Sequence, residues 1–418
     1  MKYNLFFILL ISFHASIQTQ TAININELTV VNQEKDFVTT YSELYLCGPN
    51  LTYLIKNNQL EILGEGEMYD FEFNYDFIYD QSSTSPWDYT KSSITNVFIS
   101  PNATTIGSYS FYCFTSLQSI EIPDNIISIG SYSFSGCSSL TNLIIPPSVI
   151  SIGSSSFSFC SKLISTCSRL EIINISENLI SIGNHGLSNC YALKCNITIP
   201  SSCLTLGEYC FASSRIISIE IMSNMSKVLP YSFRDCVFLI SAKLPDSIIT
   251  IGKSSFSECL RLKSIKIPKD TILIENDAFY YCSELENISF SYGLTDIFPY
   301  AFQYCDSIEK TNLPDSVKYL GNHVFYHCIK LQSIVIPNSV QEISLKAFYY
   351  CISLKEIKLS KILNKIDESA IEECYSLKSI VVPENVYLIK KYAFQECKSL
   401  KSIYLPEKAV SILDSCFL

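Results

Sequence analysis

Apolar and polar positions recur along this chain with a period of 23 residues. A large apolar residue, the anchor of each repeat, returns at this spacing eight times in succession, and a cysteine follows each of the first eight anchors by three positions. The anchors are Phe233, Phe256, Phe279, Phe302, Phe325, Phe348, Ile371, Phe394 and Phe417, and the cysteines are Cys236, Cys259, Cys282, Cys305, Cys328, Cys351, Cys374 and Cys397. A fixed period in this range is typical of a leucine-rich-repeat solenoid, whose units must stack to bury their apolar faces.

Each repeat contains one clear strand signal. In residues 259–279, the segment from Ile265 to Ile267 alternates as a half-buried strand does, and the proline that follows ends it. Such strands are expected to stack in parallel, about 4.8 Å apart, into a concave β-sheet. The rest of the repeat is expected to return as an irregular or short-helical segment, with Ile272 and Ile274 pointing inward.

The repeats extend back to about residue 94. Five earlier anchors bring the total to fourteen, namely Phe111, Phe134, Phe157, Leu187 and Phe211. One gap is 30 residues because the segment CSKL is echoed as CSRL seven positions later. We therefore expect an insertion near residues 161–170 and irregular geometry from about Cys160 to Phe233. The predicted domains are a capping region at residues 22–93 and a solenoid at residues 94–418.

The N-terminal end predicts secretion. Residues 1–21 combine one lysine, an apolar run over residues 5–13 and small polar residues, which is the pattern of a signal peptide and too short for a membrane span. No later stretch has membrane length, so we expect no membrane span in the mature chain. Six Asn-x-Ser/Thr sequons are candidate glycosylation sites on a secreted or surface protein: Asn50, Asn102, Asn174, Asn196, Asn224 and Asn287.

The net charge of −10 is concentrated in the capping region. Residues 22–93 hold twelve acidic and three basic residues, whereas residues 94–418 hold 28 acidic and 26 basic residues. A nearly neutral solenoid behind an acidic cap cannot neutralise a phosphate backbone, so nucleic acid is excluded as a partner.

The repeat resembles a known family. The unit SIGSYSFSGCSSLTNLIIPPSV, residues 128–149, is similar to the repeat of BspA-like, or treponemal-type, leucine-rich-repeat proteins, and residues 57–71 with 85–99 resemble the cap that introduces these repeats. The resemblance implies an extracellular or surface protein that adheres to host cells or matrix proteins. The glycine of the I-G pair is present at Gly130 and Gly252 but replaced at Glu275, so this position does not strictly require a positive φ.

The eighteen cysteines divide into two groups. Side chains in one slot of a stack lie side by side rather than facing each other as a disulfide requires. The eight cysteines that follow anchors, together with Cys137, Cys160 and Cys190, are therefore predicted to form a buried ladder of thiols. Any disulfides would involve the remaining residues, which are Cys47, Cys113, Cys167, Cys195, Cys203, Cys210 and Cys416.

The sequence offers little catalytic chemistry. His323 and His327 have the spacing of a metal pair on a helix, but no carboxylate motif accompanies them. No Ser/His/Asp arrangement or phosphate-binding loop stands out. We therefore expect neither an enzyme nor a metal or cofactor site.

Two surfaces are candidates for binding. Lysines mix with exposed apolar residues on the C-terminal strands of the concave sheet. No sequon lies on these strands. The alternative interpretation is an ordinary solvated sheet without a binding role. This set is Val335, Lys355, Lys358, Lys378, Val381, Lys401 and Tyr404. Tyrosines also crowd the return segments, as in FYYC at residues 279–282, where packing is favoured over binding.

These observations predict a non-catalytic solenoid that binds an extracellular or host-surface protein, in the manner of an adhesin. A structural coat component that works by self-association is the alternative from another class, and a secreted hydrolase or inhibitor is disfavoured. The last strand, near residues 402–405, would leave an uncovered sheet edge, which predicts end-to-end association or fraying there.

Overall fold

The computed structural model describes residues 45–74, 82–158, 172–407 and 411–417. The signal segment, residues 22–44 and 75–81 of the capping region, and the predicted insertion, with Cys160 and Cys167, therefore lie outside the described residues. The described chain starts with an antiparallel meander of the strands Tyr45–Leu46, Leu51–Lys56 and Gln59–Gly64. The last of these pairs in parallel with Asn96–Ile99, the first strand of the repeats.

One strand per repeat forms the sheet that the sequence predicts, which we call the first ladder. Neighbouring strands pair in parallel and in register, as in Ser333↔Glu356 and Val335↔Lys358. The strands are Asn96–Ile99, Ser119–Ile120, Asn142–Ile144, Ile172–Asn174, Asn196–Ile199, Ser218–Ile221, Ser241–Lys243, Ser264–Lys266, Asn287–Ser289, Lys310–Asn312, Ser333–Val335, Glu356–Lys358, Ser379–Val381 and Ser402–Tyr404. The prediction of a parallel leucine-rich-repeat solenoid is confirmed.

A second strand in each repeat, only two residues long, forms a second ladder where the sequence predicted an irregular or short-helical return. The rest of the return consists of turns and is irregular as predicted, but it contains no short helix: the only helix in the described residues is the 3-10 turn Asp88–Thr90, before the repeats. The second-ladder strands are Thr105–Ile106, Ser128–Ile129, Ser151–Ile152, Ser181–Ile182, Thr205–Leu206, Lys227–Val228, Thr250–Ile251, Leu273–Ile274, Asp296–Ile297, Tyr319–Leu320, Glu342–Ile343, Lys365–Ile366, Leu388–Ile389 and Ser411–Ile412.

The anchors form one column through the core. Adjacent phenylalanine rings are nearly parallel, with centroids 5.3 Å apart for Phe279 and Phe302 and 5.5 Å apart for Phe302 and Phe325. Ile371 interrupts the column, which resumes with Phe394 and Phe417. Because each ring is covered by the next repeat, no repeat could bury its own anchor alone.

Turns surround each anchor, and their backbone explains the absence of helix. The second residue before and the second residue after an anchor adopt the left-handed conformation, as at His323 (φ 58°) and His327 (φ 61°) around Phe325. Two left-handed residues per repeat prevent the i to i+4 hydrogen bonds of a helix. The histidine spacing therefore reflects turn positions and not a helical face.

A hydrogen bond between repeats explains why a cysteine occupies the third position after an anchor. The Sγ of Cys305 lies 3.2 Å from the carbonyl oxygen of Phe279, the anchor of the preceding repeat. The same contact recurs at Cys236, Cys259, Cys282, Cys328, Cys351, Cys374 and Cys397, at 3.1–3.3 Å. All eight are free thiols, and all but the half-buried Cys397 are buried, so the predicted thiol ladder is confirmed here. The thiols of Cys137 and Cys190 make the same contact in the earlier repeats.

The irregular geometry predicted after the insertion is found only in part. Ile172–Asn174 pairs in register with Asn142–Ile144 across the longer repeat, and Ser181–Ile182 joins its neighbours in the second ladder. Each ladder is interrupted soon afterwards, before Asn196 in the first and after Leu206 in the second, and again in later repeats of regular length. These interruptions are therefore not particular to the longer repeat.

Candidate protein-binding surfaces

The seven residues singled out from the sequence, here called the basic strip, lie together on the first ladder. All seven side chains are exposed. Val335 lies directly opposite Lys358, and Val381 lies opposite Tyr404, in adjacent strands. The other three lysines form a parallel row at the start of the strands: the Lys401 backbone N–H donates to the Lys378 carbonyl, and Lys355 occupies the same position one repeat earlier.

The lysines of the basic strip differ from Lys243 of an earlier repeat in their ion pairing. Among the described residues, none of its four lysines forms an ion pair, and Lys355 Nζ contacts only the neutral Gln332 amide at 3.4 Å. In contrast, Lys243 Nζ lies 2.5 Å from a carboxylate oxygen of Glu220 on the preceding strand. The strip thus presents four lysines that form no ion pair, with one exposed carboxylate, Glu356, among them, beside exposed apolar side chains, an arrangement suited to an acidic protein surface.

The candidate glycosylation sites flank this strip rather than overlap it. Asn174, Asn196 and Asn287 are exposed on first-ladder strands, and all three precede the basic strip along the stack. The side chains of Asn50, Asn102 and Asn224 are also exposed. A glycan on Asn287 would be separated from the strip by the strand Lys310–Asn312 and would leave its four strands open.

Tyrosines and histidines cluster at the turns around the anchors from Phe279 to Phe348. We call this group the turn-face aromatic cluster: Tyr280, Tyr281, Tyr300, Tyr304, His323, Tyr326, His327, Tyr349, Tyr350 and Tyr375. Its rings stack along the repeats, with centroids 4.8 Å apart for His327 and Tyr350 and 4.9 Å apart for Tyr326 and Tyr349. Much of the ring surface is therefore used within the cluster, which favours packing as its role.

The two histidines belong to separate stacks of this cluster. His323 lies against Tyr300, and burial and the nearby Lys346 hold its pKa below the usual value. His327 Nδ1 lies 3.1 Å from Asp306 Oδ1 and packs on Tyr350. Within the described part of the chain, no group of three or more potential ligands is positioned to hold a metal ion.

One exposed row was missed by sequence reasoning. Ile274 is buried as predicted, but Ile272 is not directed inward: it precedes the second ladder and is 47% exposed. The same position in the earlier repeats is occupied by Ile127, Ile150 and Ile180, which are also exposed. The signal that could have revealed this row is the strand that follows it, because only the second residue of each two-residue strand faces the core.

Comparisons with known proteins agree with this architecture. Six copies of a repeat described as "BspA type Leucine rich repeat region" match residues 87–214, 163–286, 209–332 and 319–418. A leucine-rich repeat protein from Bacteroides ovatus is 24% identical over 88% of this chain and 90% of its own, with a TM-score of 0.57. A leucine rich cell surface protein from Faecalibacterium prausnitzii is 22% identical over 87% and 94% of the two chains (TM-score 0.43).

A shorter solved chain, the leucine-rich repeat protein of T. pallidum, is 29% identical over 38% of this chain and 78% of its own, with a TM-score of 0.37. No curated protein is significantly similar in sequence. Among the described residues, no helix is long and apolar enough to cross a membrane.

Proposed function

Since the chain belongs to the BspA-type leucine-rich-repeat family, with repeat matches that together run from residue 87 to residue 418, we propose that it is a non-catalytic, protein-binding scaffold that acts outside the cell. The residue pattern of the signal segment and the six exposed sequons support a secreted or surface-associated glycoprotein. A rigid stack of repeats holds many side chains in fixed positions, which suits recognition of an extended protein surface.

We propose further that the partner is an acidic protein of the host cell surface or extracellular matrix and that it docks on the basic strip. The observation that carries this proposal is the group of four lysines without a carboxylate partner among the described residues, beside exposed Val335, Val381 and Tyr404. Tyr404 would supply the aromatic anchor, since tyrosine is enriched among residues that dominate interface energies. The lysines would mainly raise the association rate.

The test compares two triple variants of equal charge change. In Lys355→Glu/Lys358→Glu/Lys378→Glu, the basic strip becomes acidic. The control, Lys243→Glu/Lys263→Glu/Lys266→Glu, changes lysines at the same positions of earlier repeats. Binding to immobilised extracellular-matrix proteins, measured at low and at physiological salt, should fall by about tenfold or more for the first variant, most strongly at low salt where screening is least.

The control should change binding by less than about threefold at either salt concentration. Equal losses for the two variants would mean that only the overall charge matters. Intact binding in the first variant, together with lost binding after Tyr280→Ala/Tyr281→Ala, would assign the site to the turn-face aromatic cluster instead.

A further inference from the structure

A row of cationic and aromatic side chains crosses three adjacent repeats in the middle of the stack. Arg215, Phe238 and Arg261 occupy the same position of successive repeats, each directly before a buried aliphatic residue. Arg215 Cζ lies 5.1 Å from the centroid of the Phe238 ring, and Arg261 Cζ lies 5.8 Å from it. The aromatic ring therefore holds one guanidinium group from each neighbouring repeat.

A second row runs beside the first, two residues later in each repeat. It consists of Ile217, Ile240 and Lys263, whose side chains are all exposed. Backbone hydrogen bonds keep it in register: Ile240 N–H donates to the Ile217 carbonyl (2.8 Å), and Lys263 N–H donates to the Ile240 carbonyl (3.2 Å). We call the two rows together the arginine patch. It places three cations beside two exposed aliphatic side chains.

The cations of the arginine patch have no carboxylate partner. Among the described residues, none of the three forms an ion pair. Two carboxylates of the same repeats are engaged with other cations, Glu220 with Lys243 at 2.5 Å and Glu258 with Arg234 at 3.4 Å. The patch therefore offers cations that a bound anion can contact without displacing an internal partner.

Acidic residues and candidate glycosylation sites limit the patch along the stack. Glu284 and Glu286, both exposed, continue the two rows in the next repeat. The exposed sequon residues Asn196 and Asn287 lie on the first-ladder strands that come directly before and after those of the patch. A glycan on either would stand at one end of the patch and leave its three repeats open. The ligand must therefore be an anion that is narrow enough to fit within three repeats.

The two arginines favour sulfate groups at a fixed spacing. A guanidinium group binds an oxyanion through two parallel hydrogen bonds. Because Arg215 and Arg261 lie two repeats apart, at about 4.8 Å per repeat, their guanidinium groups are roughly 10 Å apart. A polysaccharide with one sulfate per two-sugar unit repeats its charge at a similar distance. On one side of an extended acidic peptide, side chains instead recur about every 6.7 Å, which matches this spacing poorly.

We propose that the arginine patch binds a sulfated polysaccharide. Arg215 and Arg261 each bind one sulfate group, and the third free oxygen of the sulfate on Arg261 faces Lys263. The exposed Ile217 and Ile240 pack against the apolar C–H groups of the sugars between the two sulfates. The basic strip takes no part in this contact, because it lies on later strands of the first ladder.

Calorimetric titration of the full chain with a chondroitin sulfate oligosaccharide, which carries one sulfate per two-sugar unit, tests the proposal. We expect a Kd on the order of micromolar at low salt, and binding about tenfold weaker or worse for the same oligosaccharide without sulfate. Arg215→Gln/Arg261→Gln should weaken binding about tenfold or more, because both charge-assisted contacts are lost. The matched control, Lys355→Gln/Lys378→Gln, removes the same charge from the basic strip and should change binding by less than about threefold. Thermal unfolding followed by circular dichroism confirms that the variants are folded.

A third variant separates the shape of the guanidinium group from its charge. Arg215→Lys/Arg261→Lys keeps both charges but loses the paired hydrogen bonds, so it should still weaken binding about threefold or more. Wild-type affinity in this variant would overturn the proposal, and so would equal losses in the two glutamine variants, since both results mean that charge alone matters. Equally tight binding of the unsulfated oligosaccharide, or no binding of the sulfated one at about 100 micromolar, would also contradict it. A polyglutamate peptide that binds the patch more tightly than the oligosaccharide would assign it to an acidic protein instead.

Discussion

The second ladder looks different in its two halves although the backbone is the same. In the first five repeats its surface is lined mainly by serine and glycine, with Glu67 and Asp70 of the cap beside them. Further along, it carries ion pairs between repeats: Lys365 Nζ lies 2.6 Å from Glu342 Oε2 and 3.1 Å from Asp367 Oδ2, and Lys390 Nζ lies 2.8 Å from Asp367 Oδ1. The stack tolerates both kinds of surface because its stability comes from the core. The outer rows are therefore free to carry function.

The glycine position shows how this difference arises. Neither Gly130 nor Gly252 has a positive φ, which agrees with the expectation that the position does not need one. A Cβ on Gly130 would lie 2.4 Å from the Ser108 backbone nitrogen, and one on Gly252 would lie 2.4 Å from the Val228 carbonyl oxygen, so a repeat with glycine here approaches its predecessor too closely for a side chain in either half. Later repeats place Glu275 or Asp367 in the same slot. This position therefore holds either a glycine, where the repeat lies close to its predecessor, or an exposed charged side chain.

The cores of the two halves also differ, in the cysteine slot. From Cys236 to Cys397 the thiol ladder is continuous, whereas Phe114 and Ser214 occupy the same slot in two of the first five repeats. Burial raises the pKa of Cys236, Cys351 and Cys397 from 9.0 to about 12, and it raises the pKa of the other five thiols in this run as well. Burial also raises the pKa of Cys203 and Cys210 in the first five repeats, so alkali should affect both halves.

The largest expected effect follows from these thiols. Unfolded cysteines lose their proton near pH 9, while the buried ones keep it to about pH 12, so the stabilisation is complete below pH 9 and is lost as the pH rises between these values. Each thiol should lower the free energy of unfolding by about 1.4 kcal/mol per pH unit in this window. Hydrogen exchange at pH 8 and 10.5 should show that the repeats holding these thiols open at the higher pH.

Cys351→Ala is the control for this prediction. It removes one titrating group and should make the decline shallower by about 1.4 kcal/mol per pH unit. A decline that is equally steep in Cys351→Ala would contradict the assignment to the thiols. Alkylation offers an independent check, because without reductant these cysteines should react only after unfolding; finding them oxidised would refute the ladder.

Truncation of an anchor should have the next largest effect, and it should be equal in the two halves. Phe134 stacks on its neighbours at 5.3 and 5.4 Å, and Phe302 does so at 5.3 and 5.5 Å. Replacing either with alanine should lower the free energy of unfolding by about 3–5 kcal/mol, measured by urea denaturation. Tyr292→Ala, at a side chain that is 94% exposed, is the neutral control. A large difference between Phe134 and Phe302 would mean that the cores are not equivalent.

Much of this fold could be predicted from the sequence because the period fixes what each slot contacts. The anchors, the first ladder and the thiol ladder could all be predicted because a side chain at a given position packs against the same position of the neighbouring repeats. The second ladder could not be predicted, since two-residue strands are too short to show alternation. For the same reason Ile272 was placed inward, although only Ile274 faces the core. The basic strip is exposed as expected, but partner binding is a property that a repeat pattern does not encode.

Substitution of a glycine should lower the free energy of unfolding by a smaller amount, and by more than substitution at the same position of a repeat without glycine. In Gly153→Ala the new Cβ would meet the Ser131 backbone at 2.5 Å, which forces the repeats apart. We expect a loss of about 1–3 kcal/mol in the free energy of unfolding. Ser344→Ala, at the same slot of a later repeat, should cost no more than about 1–1.5 kcal/mol, the contribution of the hydrogen bond that Ser344 donates to the Leu320 carbonyl. Thermal and urea denaturation should show this order, and equal losses would contradict the role of close approach.

The smallest expected effect concerns the ion pairs of the later repeats. Burial acts to raise the pKa of Asp367, but hydrogen bonds from Lys390, the Glu368 backbone and Lys365 outweigh it and hold the pKa below 3.8. Its stabilisation is therefore present above about pH 4 and is lost as the pH falls through the folded value. Asp367→Asn should lower the free energy of unfolding by about 1 kcal/mol or less at pH 7 in low salt, because such pairs lie near the surface. The difference from the unsubstituted chain should shrink in high salt and at pH 3, and a loss that is the same under all these conditions would indicate packing instead of charge.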